Sequence, residues 1–549
     1  MTVVTVDQAI QQALQHHQAG QLAEAEAMYR LALEQSPNHP DALHLLGMLA
    51  RRVGKFDVAE NLIRHAIAVN RASADYHANL GLVLMDQHKL NDAIVAFKTA
   101  IQFQPRFAQA YCNLGIAFER SGQIDQAIDS FESAISFNPR FFEAYSNLGN
   151  ALSKQKKFDA AIAALRKAVE LNPNSGDVNY NIGHALRESG QLEEAIVYFN
   201  RAIELNPNHL TARCDLANLL HLQQSRHQVI QQYQQVLAID PDHAIAHWNL
   251  ALTYLLLGDF KRGWTEHEWR TRCESLANPA EFDKPRWTGE PLDGKTILLH
   301  PEQGLGDILQ FVRYAPMVTA RGGKVLLQCQ PPLVRLLQND LGISQVISVT
   351  DPLPEFDVHC PVMSLPFVFG TEIGSIPAQI PYLFADPEDA AAWRLKLENG
   401  SNKPRIGLVW AGSPTHKNDR NRSIRLANLS RLLSMDSCRF FSLQKGPASN
   451  QLSMPTLIDH TADLHDFADT AAFVANLDLI ITVDTAVAHL AGGMGKIVWL
   501  LLPHNPDWRW LLDRDDSPWY PTMRIFRQQR AGDWESVITR IVAEIISFV

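Results

Sequence analysis

In the first half of the chain, apolar residues return at helical spacing, and the whole pattern returns every 34 residues. One unit shows it: Tyr111, Leu114, Gly115 and Phe118, then Ala127, Phe131 and Ala134, then Pro139. Apolar positions three and four apart line one face of a helix. Each unit therefore predicts two amphipathic helices, closed by a proline that cannot continue the second. Pro37, Pro105, Pro139, Pro173, Pro207 and Pro241 keep the period, and Arg71 fills the gap. Leu46-Gly47, Leu80-Gly81, Leu114-Gly115, Leu148-Gly149 and Ile182-Gly183 keep it too, continued by Leu216-Ala217 and Leu250-Ala251. About seven full repeats span residues 4–241, and an eighth begins at Asp242. No single unit can bury its own apolar face, so the units must stack into a superhelix with a concave groove.

The second helix of the last unit runs through Trp264 to Arg270, and the repeat proline is then missing. Pro279, Pro285 and Pro291 follow, so residues 1–275 form the array and 276–292 a linker. Trp264, Trp269 and Trp287 are expected to seal the open end of the array. Beyond Lys295 short apolar runs alternate with helical patterns, as in an α/β unit. Strands are predicted at Thr296–His300, Lys324–Gln328, Gln345–Val349 and Phe356–His359. A second set is predicted at Arg405–Trp410, Phe440–Leu443, Leu457–Asp459, Leu479–Val483 and Ile497–Leu502. Gly304-Leu305-Gly306-Asp307 reads as a turn ahead of a helix over 308–320. Two Rossmann-like lobes, 293–400 and 401–549, would open a cleft between their carboxyl edges. The last helix is predicted over 534–546.

Composition narrows the function. A net charge of −10 leaves no basic excess to neutralise nucleic-acid phosphates. No run of 18 apolar residues spans a membrane, and the first residues do not read as a signal peptide. The six cysteines are scattered without a C-x-x-C, which fits reduced thiols in a cytoplasmic protein.

Three places carry candidate chemistry. Asn79, Asn113, Asn147, Asn181, Asp215 and Asn249 recur just before the small-residue positions of the repeats. Asparagine is a poor helix former, so the series points either to bonding between repeats or to a ladder along the groove. A primary amide both donates and accepts, so such a ladder could hold a polypeptide backbone whatever its side chains. The second place is Leu479–Leu502, strand, tight turn, helix and strand. Asp484 is the expected helix cap there. Thr485 and the Ala486 amide stand at a helix N-terminus suited to phosphate. The third is the basic stretch 412–423, with Lys417, Arg420 and Arg422, together with Gln444-Lys445 at the end of a strand; a loop of this kind can neutralise a leaving diphosphate. Asp513-x-Asp515 matches a metal-binding pattern by chance, and no His/Cys/carboxylate cluster has metal-ligand spacing. No catalytic metal is therefore expected.

The repeats resemble the tetratricopeptide family at every diagnostic position, a family whose superhelix is right-handed. Asp484-Thr485-Ala486, with His489-Leu490-Ala491-Gly492, resembles the donor-site signature of heptosyltransferase-type glycosyltransferases, which have the two-lobed GT-B fold. Likeness to that fold would have the last helix cross back onto the first lobe. The resemblance implies a donor site at Asp484, Thr485, Ala486 and His489; Gln444, Lys445, Lys417 and Arg422 are expected beside it from their own positions, the local sequence there departing from the family's. It implies Asp307 as catalytic base, since an acceptor hydroxyl must lose a proton; His416, His460 and His489 are alternatives. The whole architecture is similar to that of the O-linked N-acetylglucosamine transferases, with their asparagine ladder. The expectation is an inverting, metal-independent transfer from a nucleotide sugar, a UDP-sugar favoured by that analogy, to a protein Ser/Thr side chain. A lipid or polysaccharide acceptor, or an inactive scaffold, are the alternatives.

Overall fold

The computed structural model describes residues 4–273, 282–338, 341–398, 400–416, 418–451 and 454–548. The chain divides into two units, 1–219 and 220–549.

The first unit is a stack of antiparallel helix pairs, from Val6–Gln18 with Leu22–Gln35 to Gly176–Glu188 with Leu192–Leu205. Small residues set the spacing within a pair. A Cβ on Gly115 would lie 2.5 Å from the Phe131 ring, and one on Gly81 2.6 Å from Phe97. The close approach of the two helices therefore requires glycine. The turn between paired helices needs a left-handed residue, met by Gly54, Gly122 and Gly190 and, at φ +60, by His88 and Lys156.

The second unit begins with the last repeat helices, Arg226–Ile239, Ala244–Leu256 and Phe260–His267. The eighth pair is cut short: after His267 the chain tightens into a 3₁₀ turn, Glu268–Arg272. Two sheets follow. The first comprises β1 (Thr296–His300), β2 (Lys324–Cys329), β3 (Ile343–Ser348) and β4 (Val358–Pro361), in the order β3-β2-β1-β4. The second comprises β5 (Arg405–Val409), β6 (Arg439–Ser442), β7 (Leu457–Asp459), β8 (Leu479–Val483), β9 (Val498–Leu502) and β10 (Met523–Arg527). Its order is β10-β9-β8-β5-β6-β7. All pairings in both sheets are parallel. β8 and β9 are buried at every position, as their unbroken apolar runs require. One core runs from Phe260 and Trp264 through β1 and β2 to the β8–β9 face of the second sheet.

Four expectations change. The helix after β1 starts at Leu305, so Asp307 lies inside its first turn and not on a preceding loop. That helix stops at Phe311, and Val312–Tyr314 and Ala315–Thr319 continue it irregularly. The terminal helix, Trp534–Phe548, does not cross to the first sheet. Trp534, Val537, Ile538, Ile541 and Ile545 instead close a core with Ile406, Leu408 and Phe440 of the second. The Pro387–Leu397 helix, inside the expected first lobe, packs on the other face of the second sheet, with Trp393 stacked on Phe473 at 4.5 Å. Of the three tryptophans, Trp264 and Trp287 are buried. Trp269 is partly exposed, stacked on His247 at 3.9 Å. The expected linker falls partly on residues 274–281, outside the described residues.

Candidate functional site

Strand order fixes where a ligand can enter. In a parallel sheet the loops leaving two neighbouring strands diverge where the winding direction reverses, and a crevice opens there. The first sheet reverses between β1 and β4, the second between β5 and β8. Pro301–Asp307 leaves β1, Trp410–Ser423 leaves β5, and Asp484–Ala486 leaves β8. The two reversals meet. A Cβ on Gly306 would lie 2.9 Å from His489 Cδ2 and 3.8 Å from Ala486 Cα. The helices Leu305–Phe311 and Ala486–Gly493 thus touch at their first turns.

Arg509, from the loop after β9, ties this junction together. Its Nη2 donates to Asp307 Oδ1 at 2.5 Å, its Nε to Gln310 Oε1 at 2.7 Å and its Nη1 to Asp507 Oδ1 at 2.9 Å. The other Asp307 oxygen accepts the Gly304 N–H at 2.8 Å. Burial raises the Asp307 carboxyl above its usual value, against the pull of Arg509 and the Gly304 N–H. Asp484 is pushed up to about 6, by burial first and then by the charge of Asp507, while Trp510, Arg422 and Arg509 draw it down. It titrates close to neutrality, where a proton acceptor works best. Asp484 does not cap the helix; Thr485 stands at that position with extended backbone and makes no side-chain cap bond. The Thr485 hydroxyl meets Thr482 Oγ1 at 3.1 Å. Leu511 and Asp513, at φ +51 and +52, hold left-handed backbone next to Trp510.

The other expected ligands separate into those the structure brings here and those it takes elsewhere. The Arg422 guanidinium lies over Gly412, 2.5 Å from where a Cβ would stand, and its charge acts on Asp484. The 412–423 loop is closed on itself by Gly412 N–H to Ser423 Oγ at 2.9 Å and Ser423 to Asp419 at 2.8 Å. Lys417 lies outside the described residues. His489 is buried, shares a 2.8 Å hydrogen bond with the Tyr520 hydroxyl and stacks on Trp510; burial, then Arg509, holds it well below the usual imidazole value. It is a neutral wedge between the helices. Gln444 is not free to bind a donor: its Oε1 accepts the Trp410 and Ala411 N–H groups, and its Nε2 donates to the Ala411 and Lys445 carbonyls. Lys445 Nζ donates to the Thr461 and Leu464 carbonyls at 2.8 and 2.7 Å. Both side chains are thus engaged by backbone groups of the neighbouring loops. His416 is exposed, and His460 packs against Phe441 and Trp393, away from the junction. Asp513 and Asp515 are exposed.

Arg509, Asp507 and Gln310 are the residues that reading the sequence missed. The only signal was a charged pair set among tryptophans, Asp507-Trp508-Arg509-Trp510, just past a buried strand.

In the repeats, the asparagine series bonds between units. Asn79 Nδ2 meets His44 Nε2 at 2.7 Å, Asn147 Nδ2 donates to Cys112 Sγ at 3.6 Å, and Asn181 Nδ2 donates to Ser146 Oγ at 3.2 Å. At Asp215 the roles reverse, with Tyr180 Oη donating at 3.1 Å and Arg187 at 2.5 Å. Each of these partners except Arg187 stands 35 residues earlier. Asn113 accepts from Gln109, and Asn249 donates to Tyr233. One amide donor at 79, 147, 181 and 249 is thus used within the fold, as bonding between repeats requires.

Residues 5–248 match the family described as the cilia and flagella-associated protein 70 C-terminal domain, a TPR domain. The N-terminal part is a tetratricopeptide-repeat array. Protein FlbA of Caulobacter vibrioides is 26% identical over 338 residues, 54% of each chain. The chain thus spans about half the length of the curated relative it matches. YrrB, a TPR protein with an unusual peptide-binding site, is 26% identical, with 34% of this chain and 95% of that one covered at a TM-score of 0.30. PilF of Pseudomonas aeruginosa is 20% identical, with 38% and 94% covered at 0.35. Among the described residues, no helix is long and apolar enough to cross a membrane.

Proposed function

We propose that the α/β region is a GT-B-type glycosyltransferase that moves a sugar from a nucleotide donor to a Ser or Thr of a polypeptide held by the tetratricopeptide array. The observation that carries the proposal is the meeting of the two strand-order reversals at Gly306 and Ala486, with three carboxylates and two guanidiniums around them. The first turn of Ala486–Gly493 and Arg422 would bind the diphosphate. Asp307, oriented by Arg509 and Gly304, would take the acceptor proton and be worth roughly 10²–10⁴-fold. Charge stabilisation comes from the helix N-terminus and Arg422, without a metal ion. A uridine donor is the first choice by analogy with the transferases of similar architecture.

A second reading, an inactive repeat scaffold, is favoured by Lys445, whose ammonium is engaged by two carbonyls. Incubating the protein with Ser/Thr peptide pools and UDP-, GDP-, ADP- and CMP-sugars separates the two. The transferase reading expects a sugar-sized mass gain on peptide with one donor, abolished in Asp307→Asn. No mass gain with any donor, or an undiminished gain in Asp307→Asn, counts against it.

A further inference from the structure

Two buried arginines connect the last repeat helices to the two sides of the candidate site. Arg226, at the start of the Arg226–Ile239 helix, is 5% exposed. Its Nη1 donates to the His221 carbonyl at 2.6 Å and its Nη2 to Asn505 Oδ1 at 2.8 Å. Asn505 Nδ2 donates back to the Leu222 carbonyl at 3.3 Å, and Gln224 Nε2 meets His504 Nε2 at 2.7 Å. Asn505 belongs to the loop after β9 that carries Asp507 and Arg509. Arg270, in the 3₁₀ turn after the last repeat helix, is 2% exposed. Its Nη2 donates to Glu302 Oε2 at 2.6 Å and Ser364 Oγ at 2.7 Å, and its Nη1 to Glu268 Oε1 at 2.8 Å. Glu302 lies in the loop after β1, just ahead of Gly304 and Asp307. Between these loops Trp508 packs edge-on against Trp264 of the last repeat, their rings 5.2 Å apart.

A guanidinium bonded through both arms fixes direction as well as distance. The Asp307–Arg509 pair therefore sits between two loops, each oriented by its own arginine from the repeats.

We propose that Arg226 and Arg270 are positioning residues of this site, acting through Asn505 on the Asp507–Arg509 loop and through Glu302 on the Gly304–Asp307 turn. The last two repeats are then part of the catalytic half and cannot be exchanged as a handle. The consequence for binding rests on the donor-site reading above; the positioning itself does not.

The test uses full-length protein and four variants. Asn505→Leu and Glu302→Met remove the oxygen each arginine bonds; Asn505→Asp and Glu302→Gln keep one. Hydrogen exchange is followed at residues 301–310 and 503–510, and UDP, GDP, ADP and CMP are titrated by calorimetry. The proposal expects Asn505→Leu to speed exchange at 503–510, and Glu302→Met at 301–310, each by about tenfold or more. Wild-type rates should return with Asp and Gln respectively. Asn505→Leu should also weaken whichever nucleotide the wild type binds by about tenfold, with Asn505→Asp restoring it. Unchanged exchange in both segments, or no rescue by the oxygen-bearing variants, overturns the proposal. Wild-type protein that binds none of the four nucleotides overturns the donor-site reading alone, and the exchange result still decides the positioning.

Discussion

The repeat array and the α/β unit both use polar side chains to fix their geometry, but over very different distances along the chain. In the array, the asparagine series reaches one repeat back, 35 residues, and the same contact recurs with small changes of partner. In the α/β unit, Arg509 bonds Gln310 and Asp307, 199 and 202 residues away, and nothing repeats. Glycine follows the same division: Gly115 makes room for Phe131 of its own repeat, Gly306 for His489 of the other sheet. Array stability is therefore close to a sum over neighbours. The site exists only when the whole second unit is folded.

The sharpest break in that comparison is Arg509→Met. It leaves Asp307 and Asp507 without their cation, and uncompensated buried charge of this kind costs about 3–5 kcal/mol. Chemical denaturation should show that loss in the second unit, and adding Asp307→Asn should return part of it. A cost under about 1 kcal/mol would mean the pair does not hold the junction. Next in size is Phe131→Ala, a cavity in the array worth about 3 kcal/mol. Hydrogen exchange should rise in the neighbouring repeats and stay unchanged at 301–310 and 503–510. Exchange rising everywhere would remove the contrast between the units.

Asp484→Asn acts through pH. The folded carboxyl titrates at about 6, above the unfolded value of 3.8. The folded chain therefore holds this proton more tightly, and stability falls as pH rises through that window. Asparagine removes the loss, so the variant should be more stable at pH 8 by on the order of 1–3 kcal/mol, with no gain below about pH 4. A gain at every pH would assign the effect to packing instead. The smallest effect is Asn147→Ala, about 0.5–1.5 kcal/mol for one neutral hydrogen bond, read as a small shift in the array's unfolding midpoint. A larger loss would give the ladder a structural weight beyond its single donor.

What the sequence made legible follows the same line. Helix pairs, their period and their tight spacing come from local residues, so the array could be read in full. β8 and β9 could be read because a strand buried on both faces is apolar throughout. β10 was missed because Arg524 and Arg527 interrupt it, and they are tolerated because β10 is an edge strand. Asp307 was placed on a turn because Gly304 and Gly306 look like loop residues; Gly304 is the cap and Gly306 a contact point. Gln444 and Lys445 looked free because nothing local shows the carbonyls they serve. The terminal helix was sent to the wrong sheet because an apolar stripe specifies burial and not a partner. Arg509 was invisible as a site residue, since two of its three partners, Asp307 and Gln310, are more than a third of the chain away.

We propose the meeting point of the two reversals as a nucleotide-sugar site. Calorimetry of the full-length protein against UDP, GDP, ADP and CMP, with and without EDTA, tests it most directly, with Arg422→Ala alongside. Micromolar binding of one nucleotide, indifferent to EDTA and weakened at least about tenfold in Arg422→Ala, is the expected result. Binding of none, or binding that Arg422→Ala leaves untouched, would contradict it.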